Sequence, residues 1–304
     1  MGSVKLSCLY TVSGRLGPLL AFAAAAAFLA ASALPARGGP WVRPRGGHFL
    51  KISASYLYTT SEFNEHGDPV PLLTANPLVQ DAAYREVAIA TYLEYGISDR
   101  LSLIGYLPFK ILTSRRTEIS ELADLIREID VTNAGFSDLS LGVRRALRTG
   151  RTPVAIDLVG TVPLGYDREP DNSGPALGTG YPDLLASLQA GASLHALYAS
   201  AAMAYRVRGG PLADDIGFTA QFGGARQRVS GYALVEGWYA TVTPEALDVS
   251  STTAPSNQDV LKFIASLSFA INQEASIATE VFHVLEGRNT PTGTTGSIAL
   301  VLTR

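Results

Sequence analysis

The chain has 304 residues, with 24 basic against 27 acidic side chains, 47% hydrophobic residues and a single cysteine, Cys8. This length suits one large all-β domain, because such domains routinely reach about 200 residues or more. The slightly acidic balance argues against a nucleic-acid partner, and one cysteine excludes internal disulfides and cysteine-ligated metal sites.

Residues 1–33 have the features of a secretory signal peptide. A basic start precedes an apolar run over 16–31 and a small-residue cleavage motif at 31–33. The alternatives are cleavage after Ala36 and an uncleaved membrane anchor, but the run is shorter than the roughly 20 residues of a spanning helix. Cleavage removes two basic residues, no acidic residue and the cysteine, so the mature chain 34–304 carries a net charge of −5.

Twelve segments of the mature chain alternate between apolar and polar residues with the period of a β-strand. In the segment 261–269 every odd position is apolar, whereas Lys262, Ser266 and Ser268 share the other face. Most segments have the roughly 9 to 11 residues that a tilted strand needs to cross a bilayer. The predicted strands are residues 48–59, 84–96, 100–109, 136–148, 152–163, 183–195, 197–208, 214–225, 228–241, 259–271, 275–286 and 295–303.

The connections between these segments alternate in length. Tight turns follow the even-numbered segments, near residues 98–99, 149–151, 195–196, 227 and 272–273. Longer connections follow the odd-numbered segments, including residues 60–83, 110–135, 164–182 and 242–258. Short periplasmic turns and longer external loops are typical of bacterial outer-membrane barrels. We therefore predict an all-β fold, a closed antiparallel transmembrane β-barrel of about twelve strands in the outer membrane of a Gram-negative-type bacterium.

A large soluble β-sandwich or lipocalin-like barrel is the alternative fold. Its dry interior would have to bury the charged positions of the strands, which is costly, whereas in a pore they would face water. The predicted lumen-lining residues are Lys51, Glu86, Arg144, Asp157, Arg206, Glu236, Lys262 and Glu280. The expected partners are outer-membrane lipid, a small-molecule solute and, during biogenesis, the barrel-assembly machinery. No cofactor is expected.

The segment 117–130 departs from the strand pattern. Its apolar residues follow a helical spacing with acidic residues between them, at positions Ile119, Leu122, Leu125, Ile126 and Ile129. We predict a short amphipathic helix inside the second long loop. Such a helix would either fold into the barrel mouth as a constriction or lie on the outer rim.

Two glycine-rich motifs resemble a known family. The stretch 135–142 opens a strand with Gly-Phe-Ser-Asp, and Pro-Leu-Gly-Tyr at 163–166 is followed by Leu-Gly-Thr-Gly at 177–180. In these motifs and in its strand layout the chain resembles the outer-membrane transporters of the phenol meta-pathway. The resemblance implies a barrel for passive uptake of small, often hydrophobic or aromatic compounds. The C-terminal Arg304 is a departure from the aromatic residue on which many outer-membrane barrels end.

The residues of these motifs also suggest a structural role. Glycines within 174–180 allow backbone angles that suit a tightly folded loop. Aspartates flank neighbouring strands at the external end, where their carboxylates could bind loop amides. We predict that the loop is pinned in place, with substrate contact as the alternative, by Asp138, Gly178, Gly180 and Asp183.

Catalysis has little support in the sequence. A Ser–His hydrolase needs a base beside its nucleophile, and of the histidines, His48, His66, His195 and His283, only His283 lies near the external end of a strand away from a turn. The Asp214–Asp215 pair could suggest an aspartate-based protease, but it follows a Gly-Gly-Pro turn, where acidic residues are usually solvated. No metal-ligand cluster, phosphate loop or nucleotide fingerprint is present. We therefore predict a channel or passive transporter rather than an enzyme; a lipase-like hydrolase that uses His283 and a structural or adhesive barrel are the alternatives.

Overall fold

The computed structural model describes residues 39–73, 76, 78–120, 125–242 and 257–304. The predicted signal peptide lies outside the described residues. Within them, no helix has the length and hydrophobicity needed to cross a membrane.

The described residues form sixteen β-strands. They are β1 (His48–Thr59), β2 (Ser61–Phe63), β3 (Pro69–Pro71), β4 (Val79–Ser98), β5 (Leu101–Ser120), β6 (Leu125–Phe136), β7 (Asp138–Arg148), β8 (Val154–Pro163), β9 (Asp183–Leu194), β10 (Leu197–Arg208), β11 (Asp215–Arg226), β12 (Val229–Ala240), β13 (Asp259–Ala270), β14 (Ala275–Arg288), β15 (Thr290–Pro291) and β16 (Thr294–Thr303).

Twelve of these strands close into one antiparallel barrel. Their order around the wall is β1, β4, β5, β7, β8, β9, β10, β11, β12, β13, β14 and β16, and β1 completes the ring by pairing with β16. The predicted closed twelve-strand barrel is confirmed. Closure matters physically because it leaves no strand edge with unpaired backbone groups, which a bilayer could not hydrate.

The two faces of each barrel strand differ in chemistry. On β1 the exposed positions include Ile52 and Tyr56, whereas Lys51 and Ser53 alternate with them and line the interior. The same outward exposure of large apolar side chains recurs around the wall, for example at Ile89 and Leu141, which are 53% and 58% exposed. An apolar exterior around a polar interior is the arrangement of a transmembrane barrel.

The barrel has a short-turn end and a long-loop end. At the short-turn end the strands are joined by residues 99–100, 149–153, 195–196, 227–228 and 271–274. Two of the three two-residue turns use a left-handed backbone, at His195 and Gln227, with φ of 54° at both. Both ends of the barrel sequence meet here, because the Arg304 amide donates to the His48 carbonyl oxygen.

The prediction of a helix over 117–130 is wrong. Residues 117–120 end β5, residues 125–130 begin β6, and these two strands pair with Ile119 opposite Ile126; residues 121–124 lie outside the described residues. Ile119 and Ile126 are seven residues apart, as in two turns of a helix, but in the structure they face each other across two paired strands. Isoleucine is β-branched and favours strands. The hairpin also satisfies the backbone hydrogen bonds that a helix would otherwise form. The lid and rim roles of the helix are withdrawn with it.

The β5–β6 hairpin lengthens the wall on one side of the barrel. The outer half of β5, from Phe109, pairs with β6, while the inner half, up to Tyr106, pairs with β7. Ser137 separates β6 from β7, and its amide donates to the Pro108 carbonyl oxygen. Strands β2, β3 and β15 form a separate small sheet in the external loops.

Candidate functional site in the barrel lumen

The barrel encloses a cavity of about 970 Å³. Its lining combines charged and aromatic side chains, including Lys51, Tyr92, Tyr106, Tyr232 and Glu280, with small polar and aliphatic ones. Charged side chains cost much free energy to bury away from water and little to leave in contact with it. The cavity is therefore the candidate functional site.

All eight residues predicted to line the lumen occupy inward positions of their strands. Six contribute directly to the cavity surface, namely Lys51, Glu86, Arg144, Glu236, Lys262 and Glu280. Asp157 is buried beneath Arg144. Arg206 lies higher in the wall, where its guanidinium binds Asp215 and stacks over the Trp238 ring at 4.7 Å.

The strongest polar network centres on Arg144. Its guanidinium forms two parallel hydrogen bonds to Asp157, both 2.9 Å, and a third, 2.8 Å long, to Glu94. Gln189 donates to Asp157 and Tyr92 donates to Glu94, both at 2.6 Å. The network thereby joins strands β4, β7, β8 and β9 near the short-turn end. The bidentate geometry makes this one of the stronger ion-pair arrangements in proteins.

The opposite wall carries a second network. Glu280 on β14 pairs with Lys51 on β1 and accepts a hydrogen bond from the Tyr232 hydroxyl on β12. A looser pair joins Lys262 to Glu236, with 4.0 Å between the ammonium nitrogen and the carboxylate oxygen. Since the side chains of that last pair are each about a third exposed to the lumen, water screens it.

Aromatic side chains in the lumen are held by carboxylates. Tyr84 donates to Glu86 at 2.9 Å, Tyr92 to Glu94 and Trp238 to Glu236 at 3.1 Å, in each case two residues apart on one strand. Residues two apart in a strand share a face, so each carboxylate fixes the edge of its aromatic neighbour. These pairs were not predicted, although the repeated Tyr-x-Glu at 84–86 and 92–94 is a visible signal for two of them.

Residues 39–47, here called the strap, cross the lumen at the short-turn end. The strap begins against β9 and β10, where Trp41 packs edge-on against Tyr198 with ring centroids 5.6 Å apart. It ends on the opposite wall, where Arg43 binds Glu94 at 2.9 Å and its amide donates to Ser102. The strap passes so close to β4 that Gly96 must be a glycine, since a Cβ there would lie 2.0 Å from a strap carbonyl oxygen. The strap was not predicted.

The loop 164–182 folds onto the wall through the two motifs that carry the family resemblance. Tyr166 donates a hydrogen bond to Asp138 and accepts one, 2.8 Å long, from the Gly180 amide. Ser137 donates to the Leu177 carbonyl oxygen. A Cβ at Gly178 would lie 2.6 Å from an Asp138 carboxylate oxygen, so this close approach requires glycine. Burial and the Asp138 contact both raise the pKa of the Tyr166 hydroxyl.

Of the four residues assigned to loop pinning, Asp138, Gly178 and Gly180 come together around Tyr166. Gly180 also needs its glycine for a left-handed backbone, with φ of 74°. Asp183 instead opens β9 opposite Arg208, and one of its carboxylate oxygens is buried without a hydrogen-bond partner.

An apolar cluster, here called the cap, packs against the inner wall at the long-loop end. Leu72, Leu73 and Leu177 from two external loops pack against Tyr84 and Leu112 of the wall. The cap is anchored at Glu62, whose carboxylate accepts a hydrogen bond from the Leu73 amide at 3.2 Å. Burial raises the pKa of that carboxyl above its usual value, against the smaller opposite effect of the Leu73 bond.

The residues considered for catalysis are separated in the fold. His283 lies on the outer face of β14, where its ring nitrogen Nδ1 is 2.8 Å from the Thr294 hydroxyl. Asp214 binds Tyr205 while Asp215 binds Arg206, so these two carboxylates do not share a site. Among the described residues, no group of three or more His, Cys, Asp or Glu side chains could hold a metal ion.

Comparison with solved structures places this barrel beside a bacterial channel. The COG4313 outer membrane channel from Pseudomonas putida F1 is similar with a TM-score of 0.61 and 14% sequence identity, over 90% of this chain and 100% of that chain. The two chains share a fold. The CymD monoaromatic hydrocarbon channel and the KdgM porin are also similar, both with a TM-score of 0.43, at 9% and 8% identity. These alignments cover 86% and 83% of this chain and 89% and 98% of the other chain, respectively.

No family model and no curated protein sequence matches the chain. The chain shares the β-barrel fold of an outer-membrane channel, and its alternation of short turns and long loops is the pattern of outer-membrane barrels.

Proposed function

We propose that this barrel is a passive channel of the outer membrane for small solutes, and that it favours solutes with an aromatic ring. The observation that carries the proposal is the lumen, a cavity of about 970 Å³ inside a closed barrel with an apolar exterior. A water-compatible interior surrounded by a lipid-compatible wall is what diffusion across a membrane requires.

The lining supports a preference for aromatic solutes. The carboxylates of Glu86, Glu94 and Glu280 accept hydrogen bonds from tyrosine hydroxyls, those of Tyr84, Tyr92 and Tyr232 respectively. The partly exposed rings of Tyr92 and Tyr232 then offer apolar surface for stacking, while the ion pairs keep the lumen wet. Aromatic pairs prefer offset or edge-to-face contact and contribute about 0.5 to 1.5 kcal/mol beyond burial. The family resemblance in the two loop motifs points to the same class of solute.

Ring recognition can be tested with two anions of equal charge and similar size. Benzoate should reduce the single-channel current of the mature barrel in a planar bilayer at a lower concentration than cyclohexanecarboxylate. The expected difference is about two- to tenfold, the range for one aromatic contact. A barrel that conducts ions but responds equally to both anions contradicts the aromatic preference, and a folded barrel that carries no current contradicts the channel.

Tyr106 offers a matched pair of variants. It lines the cavity and is 40% exposed there. Tyr106→Phe keeps the ring and should keep the benzoate preference, whereas Tyr106→Leu removes the ring and should reduce it. Equal responses of the two variants would remove Tyr106 from the solute path.

A further inference from the structure

The short-turn end of the barrel carries a concentrated positive charge on one side. Arg145 and Arg148 lie on β7, Arg151 lies in the turn between β7 and β8, and Arg100 lies in the turn between β4 and β5; all four are exposed. We call these four residues the arginine sector. The turns that hold them contain one acidic residue, Asp99, and its carboxylate accepts the Arg45 amide. No described carboxylate forms an ion pair with an arginine of the sector.

Three arginines at the long-loop end behave differently. Arg115 pairs with Glu128, Arg168 with Glu169 and Arg288 with Asp259. These three guanidinium groups are neutralised within the protein, whereas those of the sector are left available to an external anion.

The strand register gives the depth of the sector in the bilayer. Tyr95 is exposed on the outer face and is aligned with Leu103 on β5, which is aligned with Val143 on β7. Arg145 is the next outward position towards the short-turn end, and Leu147 follows it, 53% exposed. Outward tyrosines mark the level where hydrocarbon meets headgroups. Arg145 therefore lies one outward position beyond the tyrosine level, where its guanidinium reaches the headgroups.

We propose that the arginine sector binds the phosphate groups of anionic phospholipids in the inner leaflet of the outer membrane. This inference goes beyond solute passage and uses only the orientation of the barrel. A guanidinium presents a planar set of donors that matches phosphate oxygens. Two such groups lie on β7 and two lie in the turns beside it, next to the exposed apolar side chain of Leu147. This arrangement fits a phospholipid headgroup better than a soluble anion, which would need no apolar surface beside it.

The test uses the mature full-length barrel, folded in neutral detergent, with an equimolar mixture of phosphatidylglycerol and phosphatidylcholine of identical acyl chains. Native mass spectrometry should show at least about tenfold more bound phosphatidylglycerol, since each basic residue near an anionic lipid surface contributes about fivefold. The variant R100Q/R145Q/R148Q/R151Q should lose this preference. Each single variant should lose up to about fivefold, so the test survives a quadruple variant that does not fold.

The control variant R226Q/R228Q/R304Q removes arginines from the same end but from other strands, and it should keep the preference. Folding is verified by heat-dependent migration and conductance, so a failed lipid result is separable from a failed channel. The proposal is overturned if the wild-type barrel retains both lipids equally, or if the control variant loses as much as the sector variant. It is also overturned if peptidoglycan fragments displace phosphatidylglycerol from the sector at equal concentration.

Discussion

Arg144 shows how one residue can hold several strands of a barrel wall. Its guanidinium is buried on β7 and binds carboxylates on β4 and β8. Removing one member of a buried charge network leaves the others without their counter-charge, and that is far more costly than losing an exposed pair. The lumen contains both kinds of ion pair, so the difference can be measured within one protein.

Arg144→Met should lower the free energy of unfolding of the barrel by about 3 to 5 kcal/mol, because Asp157 loses its bidentate partner and Glu94 loses one of two cations. Lys262→Met removes the same kind of charge from the looser pair and should cost less than about 1 kcal/mol. Reversible urea unfolding in lipid vesicles, followed by tryptophan fluorescence, measures both. Equal losses would mean that the Arg144 network is no stronger than a solvated ion pair.

At the level of elements, the strap is the feature that most alters the lumen. It runs from β10 to the start of β1, which is six strands away in either direction around a twelve-strand ring, and thus lies across the full width of the barrel. Trp41 and Arg43 attach it to opposite walls. A twelve-strand barrel is narrow enough for such a segment to occupy much of its cross-section.

A mature chain that begins at Gly46 lacks most of the strap and should conduct more than a chain that begins at Gly39. We expect an increase of about twofold or more in single-channel conductance, because the lumen of a twelve-strand barrel is narrow and the strap occupies part of its cross-section. The chain beginning at Gly39 is the matched control, since it removes only the residues before the strap. Equal conductance of the two chains would show that the strap does not limit flow.

The elements also show which parts of the fold the sequence predicts. The strands 48–59 and 197–208 are predicted with the ends that the structure has, because their alternation stops at recognisable turn residues. The helix prediction failed at Ile119 and Ile126, where a cross-strand pair imitates a helical repeat. The strap could not be predicted, because it has no periodicity and its contacts exist only after closure brings distant strands face to face.

For the candidate site the same limit applies. Alternation is sufficient to assign Glu86 or Lys262 to the inward face, since a strand has only two faces. It cannot show that Asp157 is buried beneath Arg144 while Lys262 remains in contact with water, because those differences depend on which strands are neighbours in the ring and on their register.

Over the whole molecule the lumen is close to electrical balance, with five basic and six acidic residues among those that line the cavity. A wet lumen of this kind exerts little net attraction on either sign of ion, so a single charge change should have a visible effect. Lys262 and Glu236 are the best positions for such a change, because their pair is the longest in the lumen at 4.0 Å and is partly exposed.

Lys262→Glu should make the channel more selective for cations, and Glu236→Lys should make it more selective for anions, because each replaces one lumen charge by its opposite. The reversal potential in a salt gradient across a planar bilayer measures both shifts, which should diminish at high salt as screening shortens the range of the field. The double variant E236K/K262E restores the balance with the charges exchanged and should return the reversal potential towards that of the wild type. If both single variants keep the wild-type potential, ions do not pass these two side chains, and the solute path must follow the Arg144 side of the lumen.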